Sequence, residues 1–372
     1  MATGTTVAAT LTDDEVRAAR LRSLLLGAER GASRGVGQIV EWMGALQAQD
    51  VASQFWSLGV RMPGSVEADV QAALEAREAV RTWPMRGTVH LVPARDAAWM
   101  VELMSARPIA GGTARRAFLG ITLEMVDGAT EVLRKALSGG RILTRDECVK
   151  VLQDAGYPTA GQVSYHLLWY ACQVGVLCQG PPRGKEHTFV VLGEWVPDAR
   201  SPSREEGLAI LAERFFRGHG PASVKDFARW TALGIRECRV GIAGAGEALV
   251  EVGTSAGPMV TAASALGAGE VSPHLVLPGF DEFMLGYGDR ALILEPEHFK
   301  VVVPGGNGVF QATLVKDGRA VGVWKRSLKA KTVDIAVTPL VTVGDTDRRA
   351  FEREFAAYGA FLGREPRVTW AA

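Results

Sequence analysis

L-C-Q-G-P-P-R-G-K-E-H-T-F-V-V-L, residues 177–192, sets two apolar, β-prone runs around a Gly/Pro-rich tip that carries Arg183 and Lys185. Gly and Pro supply turn dihedrals, and Val, Phe and Thr suit strands, so the stretch predicts a basic β-hairpin. Three helical stretches precede it. Leu123–Leu137 has helical apolar spacing, Thr144-Arg-Asp-Glu147 opens a second helix with a T-x-x-E capping box, and residues 162–176 repeat apolar positions at Val163, Leu167, Tyr170 and Val174. Three helices followed by a basic hairpin is the order of a winged helix-turn-helix.

The same order recurs on both sides. Upstream, Thr12 followed by Asp13, Asp14 and Glu15 opens a helix, a second covers about 36–46, and a third about 66–76. Residues 54–60 read as extended between them, and R-T-W-P-M-R-G-T-V-H-L-V-P (81–93) reads as two short strands around residues 84–87. Downstream, helices are expected at 205–217, from Ser223, and at 235–243, with a small wing formed by 249–252 and 259–261. The repeat is one of element order rather than residue identity. From His274 the texture changes to short β-like runs (275–277, 291–294, 300–303, 309–314, 320–325 and 332–338), closed by an amphipathic helix at 345–362. The fold class expected is therefore α+β: winged-helix units at 11–118, 119–199 and 200–270, then a β-rich region with a terminal helix at 271–372.

Bulk properties bound the function. The chain has 372 residues, 47% apolar and 22% charged, enough to bury a substantial core. Lys+Arg and Asp+Glu both number 41, which argues against a uniformly basic nucleic-acid coat but leaves room for a local basic face. Four scattered cysteines make no C-x-x-C pair and the six histidines show no ligand spacing, so neither a metal site nor a cofactor is expected, and a reducing cytoplasm suits the thiols. No window approaches the roughly 20 apolar residues of a membrane span.

Candidate chemistry is sparse. In Ala45-Leu-Gln-Ala-Gln-Asp50, Gln47 and Gln49 flank one small residue at the end of a helical pattern. On a helix they would lie about 200° apart, but in an extended segment they would share a face. An amide is a poor general base, yet its carbonyl oxygen can hold a water and place a dipole near developing positive charge. His90 alternates with Val89 and Leu91 on a predicted strand, where it could be an acid, a phosphate contact or a satisfied core histidine. Asp281, Glu282, Asp289 and Arg290 stand among large apolar residues, as a functional carboxylate or as an Asp–Arg pair pinning a turn. G-G-N-G (305–308) between β-rich runs predicts a hairpin tip, with Gly306, Asn307 and Gly308 placed to enter a groove. Lys325 and Arg326 belong to a basic run at 316–331, Arg107, Arg115 and Arg116 fall between Glu102 and Glu124 with no acid among them, and Arg86 opens R-G-T-V-H-L (86–91) as a further candidate DNA contact.

Taken in order, L-Q-A-Q-D (46–50), R-G-T-V-H-L-V-P (86–93), G-P-A-S-V-K-D-F-A-R-W (220–230), L-P-G-F-D-E-F-M-L-G-Y-G-D-R (277–290), N-G-V-F (307–310) and D-G-R-A-V-G-V-W-K-R (317–326) resemble the bacterial winged-helix DNA glycosylases, the AlkZ-like proteins. The resemblance spans about 11–365. It implies three tandem winged helices around a concave DNA-binding cleft, with Gln47 and Gln49 as the catalytic Gln-x-Gln pair. A related branch carries Gln-x-Asp; here glutamine fills the second place and Asp50 only follows. That implies the crosslink-unhooking, often self-resistance branch, acting on double-stranded DNA with alkylated or crosslinked guanine, as a monomer. Ala48 stands where the family usually has an aliphatic residue, and residues 305–308 match the family's DNA-probing hairpin. The alternatives from the residues alone are a non-enzymatic winged-helix transcriptional regulator and a hydrolase of another nucleoside-like substrate.

Overall fold

A computed structural model describes residues 8–28, 30, 34–184, 186–267, 270–306 and 308–371. It divides into two compact units. One comprises residues up to 70, 208–230 and 234 onward; the other comprises 71–207 with 231–233. The elements are mixed α and β.

In the first unit, Thr12 caps the helix Asp13–Ser23 with a full capping box: its hydroxyl accepts from the Glu15 amide, and Glu15 accepts from the Thr12 amide at 2.8 Å. The helix Val36–Met43 buries Val36, Ile39, Val40 and Met43, a single 3.6-residue stripe. It stops at Gly44, whose φ of +79° suits glycine. Residues 54–60, expected to be extended, are corrected: Val51–Gly59 is a helix and Val60 caps it. Phe55 and Trp56 suggested a strand by propensity, but the Asp50 cap and burial on nearly every side favour the helix.

That helix seats on a five-stranded sheet ordered Glu365–Trp370, Thr332–Pro339, Arg319–Leu328, Ala312–Lys316 and His274–Leu277. The first pair is parallel and the rest antiparallel. The helix Asp345–Leu362 covers the sheet with Phe351, Phe355, Tyr358 and Phe361, one stripe at i, i+4, i+7 and i+10. Trp56 is tilted against Tyr358 and Phe361 at 4.9 and 5.3 Å, and its indole N–H donates to the Val276 carbonyl at 2.8 Å. Gly59 permits this approach, since a Cβ there would lie 2.7 Å from the Phe361 ring. Gly59→Ala is expected to cost about 1–3 kcal/mol through overpacking, read as a lower urea midpoint.

Three further β expectations are corrected. Residues 291–294 form turns rather than a strand. Residues 300–302 fall in the short helix Phe299–Val302, with Val303 just past its end, because Pro296 opens the preceding 3-10 turn and starts a helical path. Without a strand on that side, residues 305–308 are not a hairpin tip: Gly305, Gly306 and Gly308 form a bend at φ +77°, +63° and +80°, and Asn307 lies outside the described residues. The long hairpin of this region is instead Arg319–Leu328 with Thr332–Pro339.

In the second unit, the strands lie in the order Thr88–Pro93, Ala79–Met85, Leu177–Arg183, Glu186–Val191 and Leu143–Thr144. The first two turn at Arg86 and Gly87, both at positive φ, as a two-residue hairpin requires. Helices Ala97–Met104, Ala106–Leu119, Leu123–Leu137, Arg145–Asp154 and Val163–Gln173 surround a core that includes Val126, Leu133, Leu152 and Leu167. Cys148, Cys172 and Cys178 are free and buried there, and burial pushes the Cys178 thiol up to about 12. No described helix is long and apolar enough to cross a membrane.

Candidate active site and nucleic-acid interface

The chain leaves helical geometry at Gly44, and Leu46–Gln47 is extended. Side chains therefore alternate: Leu46 and Ala48 are buried, while Gln47 is half-buried and Gln49 exposed. A small residue at 48 fits because it faces the interior. Gln47 Nε2 donates to Gln49 Oε1 at 3.3 Å, so the two amides share one face. Gln47 Oε1 is buried and has no hydrogen-bond partner, an unsatisfied acceptor that a small movement of the side chain would bring to a water or a ligand.

Asp50 fixes the exit from this segment. Its Oδ1 accepts from the Ser53 amide at 2.6 Å, capping the next helix, and from Arg326 Nη2 at 3.1 Å. Burial opposes its charge, but the Ser53 hydrogen bonds and the Arg326 guanidinium prevail and hold its carboxyl below the usual range. The Arg326 guanidinium also acts electrostatically on the Tyr358 phenol of the terminal helix, so the motif is tied to the long hairpin and neighbours its covering helix. Asp50→Ala is expected to cost about 1 kcal/mol through the lost cap, with Asp50→Asn retaining most of it, as thermal melts would show.

The other predicted contacts separate into groups. Lys325 is exposed on the long hairpin beside Arg326. Elsewhere in that basic run, Lys316 is bound to Asp347 at 2.8 Å and Arg319 to Glu295 at 2.6 Å, so these charges are committed to ion pairs. In the second unit, His90 is fully buried: its Nδ1 faces the Thr88 carbonyl at 2.8 Å and its Nε2 meets Arg86 Nη2 at 3.0 Å. With Nδ1 protonated and donating, Nε2 accepts from Arg86, so the ring positions Arg86 rather than facing solvent. Arg115 is exposed, its guanidinium 5.0 Å from the Phe118 ring centroid. Arg116 is buried and bonded within its own helix to Thr113 Oγ1 at 3.0 Å.

The carboxylates of 281–289 are structural in their contacts. Asp281 is buried and receives both terminal nitrogens of buried Arg61, at 2.7 and 3.0 Å, the Ser57 hydroxyl and the Phe283 amide. Its partner is thus Arg61, not Arg290. Glu282 accepts from His219 and Trp230 at 3.1 and 3.0 Å, and Asp289 caps the Ala291 amide. A pocket of about 500 Å³ in the first unit surrounds Trp42, whose indole lies between the Arg34 and Arg217 guanidiniums, but its described lining does not include the glutamines.

Sequence patterns gave no notice of Tyr165, His166 and Trp169, which line a pocket with Arg86 and Arg115; in sequence they are apolar-looking positions of one buried helix. The available signal was His166 itself, a titratable residue on a helix whose other positions form core.

A family model described as DNA glycosylase AlkZ-like matches residues 40–361. The chain belongs to the AlkZ-like DNA glycosylase family. As a DNA glycosylase it is an enzyme, which sets aside the non-enzymatic regulator. The sequence is 29% identical over 336 residues to an interstrand DNA cross-link repair glycosylase of Streptomyces sahachiroi, covering 82% of this chain and 86% of that protein. The solved DNA glycosylase AlkZ of Streptomyces sahachiroi superposes with a TM-score of 0.80, over 97% of this chain and all of that one, at 24% identity, a likeness of fold.

Proposed function

We propose that this glycosylase hydrolyses the N-glycosidic bond of bulky or crosslinked N7-alkylpurines in double-stranded DNA, in repair or in self-resistance to a DNA-alkylating natural product. The observation that carries the proposal is the glutamine pair: two amides on one face, 3.3 Å apart, with the Gln47 carbonyl oxygen unoccupied. The cross-link repair relative, similar along most of its length, supports the substrate class.

Alkylation at N7 of guanine leaves a cationic base that departs without strong acid assistance. What remains for the protein is to stabilise an oxocarbenium-like sugar and to aim a water at its anomeric carbon. Amide oxygens do both by dipole and orientation, without becoming protonated. The expected catalytic roles fall to Gln47, with its unpartnered carbonyl, and Gln49, which orients Gln47. Asp50 and Arg326 position the segment.

The architecture we propose retains the tandem order: winged-helix units over 11–118, 119–199 and 200–270, then the β-rich region at 271–372, acting as a cytoplasmic monomer on duplex DNA. The DNA-facing hairpin is assigned to 319–339, whose exposed tip carries Lys329 and Lys331, in place of residues 305–308. The substrate assignment is tested with three duplexes, carrying an N7-alkylguanine monoadduct, an N7–N7 crosslink or no lesion. Abasic sites are expected in the first two; base release from neither would overturn it.

A further inference from the structure

In the second unit, a pocket of about 290 Å³ opens between the helices Ala106–Leu119 and Val163–Gln173 and the Arg86–Gly87 turn. We propose that it seats a phosphodiester of the DNA backbone, with the adjoining sugar and base against Tyr165. This deepens the glycosylase proposal and rests on it.

The lining favours an anion. Arg86 and Arg115 border the pocket, and no Asp or Glu does among its described lining residues. Arg86 is already oriented by His90, so little of its freedom remains to be lost on binding. Arg116 stands behind the wall, and Arg145 lies 5.6 Å from the Tyr165 ring centroid at the rim. The second, independent observation is His166. It is 5% exposed, it borders the pocket, and its Nε2 is buried without a hydrogen-bond partner. A buried ring nitrogen left in this state is destabilising, and a small turn of the ring toward the pocket would let a ligand oxygen satisfy it. Burial, reinforced by Arg116 and Arg115, holds the His166 pKa below its ordinary value, so the free protein carries a neutral ring there at pH 7. A bound phosphate oppositely favours the protonated ring.

The remaining surfaces fit a nucleic-acid strand better than a free anion. Tyr165 is 43% exposed at the pocket edge, and an exposed ring beside arginines is a stacking platform for an unstacked base. Trp169 forms the back wall. Gly112 keeps the space open, since a Cβ there would meet the Trp169 ring at 3.2 Å and Arg116 Nη1 at 3.3 Å.

The test uses the full chain, an undamaged fluorescent duplex and NMR of the His166 imidazole. Adding duplex is expected to raise the His166 titration midpoint in the wild type. Arg115→Gln is expected to weaken duplex binding several-fold and to reduce the slope of log K against log salt by about one, the loss of one phosphate contact. Tyr165→Ala is expected to weaken binding with the slope retained. Duplex binding that leaves the His166 midpoint unmoved, with an unchanged slope in Arg115→Gln, overturns the proposal. So does an equal shift on adding inorganic phosphate alone at matched phosphate concentration, which would mark a small-anion site. The wild-type His166 measurement involves no substitution, so misfolding of a variant cannot mimic either outcome. Base release by the wild type from a lesion duplex is scored separately. Its absence together with a duplex-induced His166 shift would refute the substrate assignment and leave the pocket standing.

Discussion

Asp281→Ala is expected to destabilise the first unit by about 3–5 kcal/mol, enough to unfold many domains of ordinary stability. Asp281 and Arg61 are both essentially inaccessible, at 1% and 0% exposure, and the guanidinium donates to both carboxylate oxygens. Removing the acid leaves a buried cation with only the Leu24 and Ser57 carbonyls and the Ser57 hydroxyl as acceptors. The pair joins two segments 220 residues apart, the turn that ends the helix following the glutamines and the L-P-G-F-D-E-F run. Its loss should therefore also loosen the motif. Arg61→Met combined with Asp281→Leu is expected to recover part of the loss, because it removes both charges at once. Urea unfolding of the three proteins distinguishes these outcomes.

The same pair sets an acid sensitivity. Burial pushes the Asp281 carboxyl up, but Arg61 and the hydrogen bonds from Phe283 and Ser57 prevail and hold it below its ordinary value. A depressed folded-state pKa contributes stability that is complete above the unfolded carboxylate value of about 3.9 and is lost as pH falls through the lower folded value. Wild-type stability should thus fall on acidification below about pH 4, and Asp281→Asn should lack that component while being less stable at neutral pH.

Sequence exposed what is local. Both T-x-x-E capping boxes, at Thr12 and Thr144, form as written, because a cap needs only residues three apart. The helix Asp345–Leu362 and the hairpin around Arg86–Gly87 were legible from apolar spacing and turn residues. The shared face of Gln47 and Gln49 was legible as a condition, and Gly44 is the residue that meets it by ending the helix three residues earlier.

The hidden features depend on distant partners. Val51–Gly59 looked extended because the burial that makes it helical comes from the terminal helix some 300 residues on. The strand Glu365–Trp370 escaped notice because it pairs in parallel with Thr332–Pro339 across an intervening helix. Arg290 looked like the partner of Asp281 or Asp289 by proximity in sequence, whereas Arg61 holds the buried Asp281. At the candidate site, Asp50 read as the end of a motif, and its bond to Arg326, 276 residues away, could not be inferred from spacing.

The second large effect concerns the glutamines. Gln47→Ala removes the unpartnered carbonyl oxygen and the donor to Gln49, while Ala suits an extended position whose neighbours Leu46 and Ala48 carry the packing. Stability should change little. The rate of base release should fall by on the order of 100-fold, the scale of losing one preorganised dipole at a developing charge. Gln49→Ala, which removes the acceptor that orients Gln47, should fall less steeply. Gln47→Glu places a full negative charge where the dipole stood. It should retain more activity than alanine if the group stabilises a cationic sugar.

The catalytic role of the glutamine pair is decided by single-turnover base release from a duplex carrying one N7-alkylguanine, with wild type, Gln47→Ala and Gln49→Ala at saturating enzyme. Abasic product is expected from the wild type, with a roughly 100-fold slower rate in Gln47→Ala and a smaller loss in Gln49→Ala, all three proteins melting alike. Wild-type rates in both variants would contradict that role.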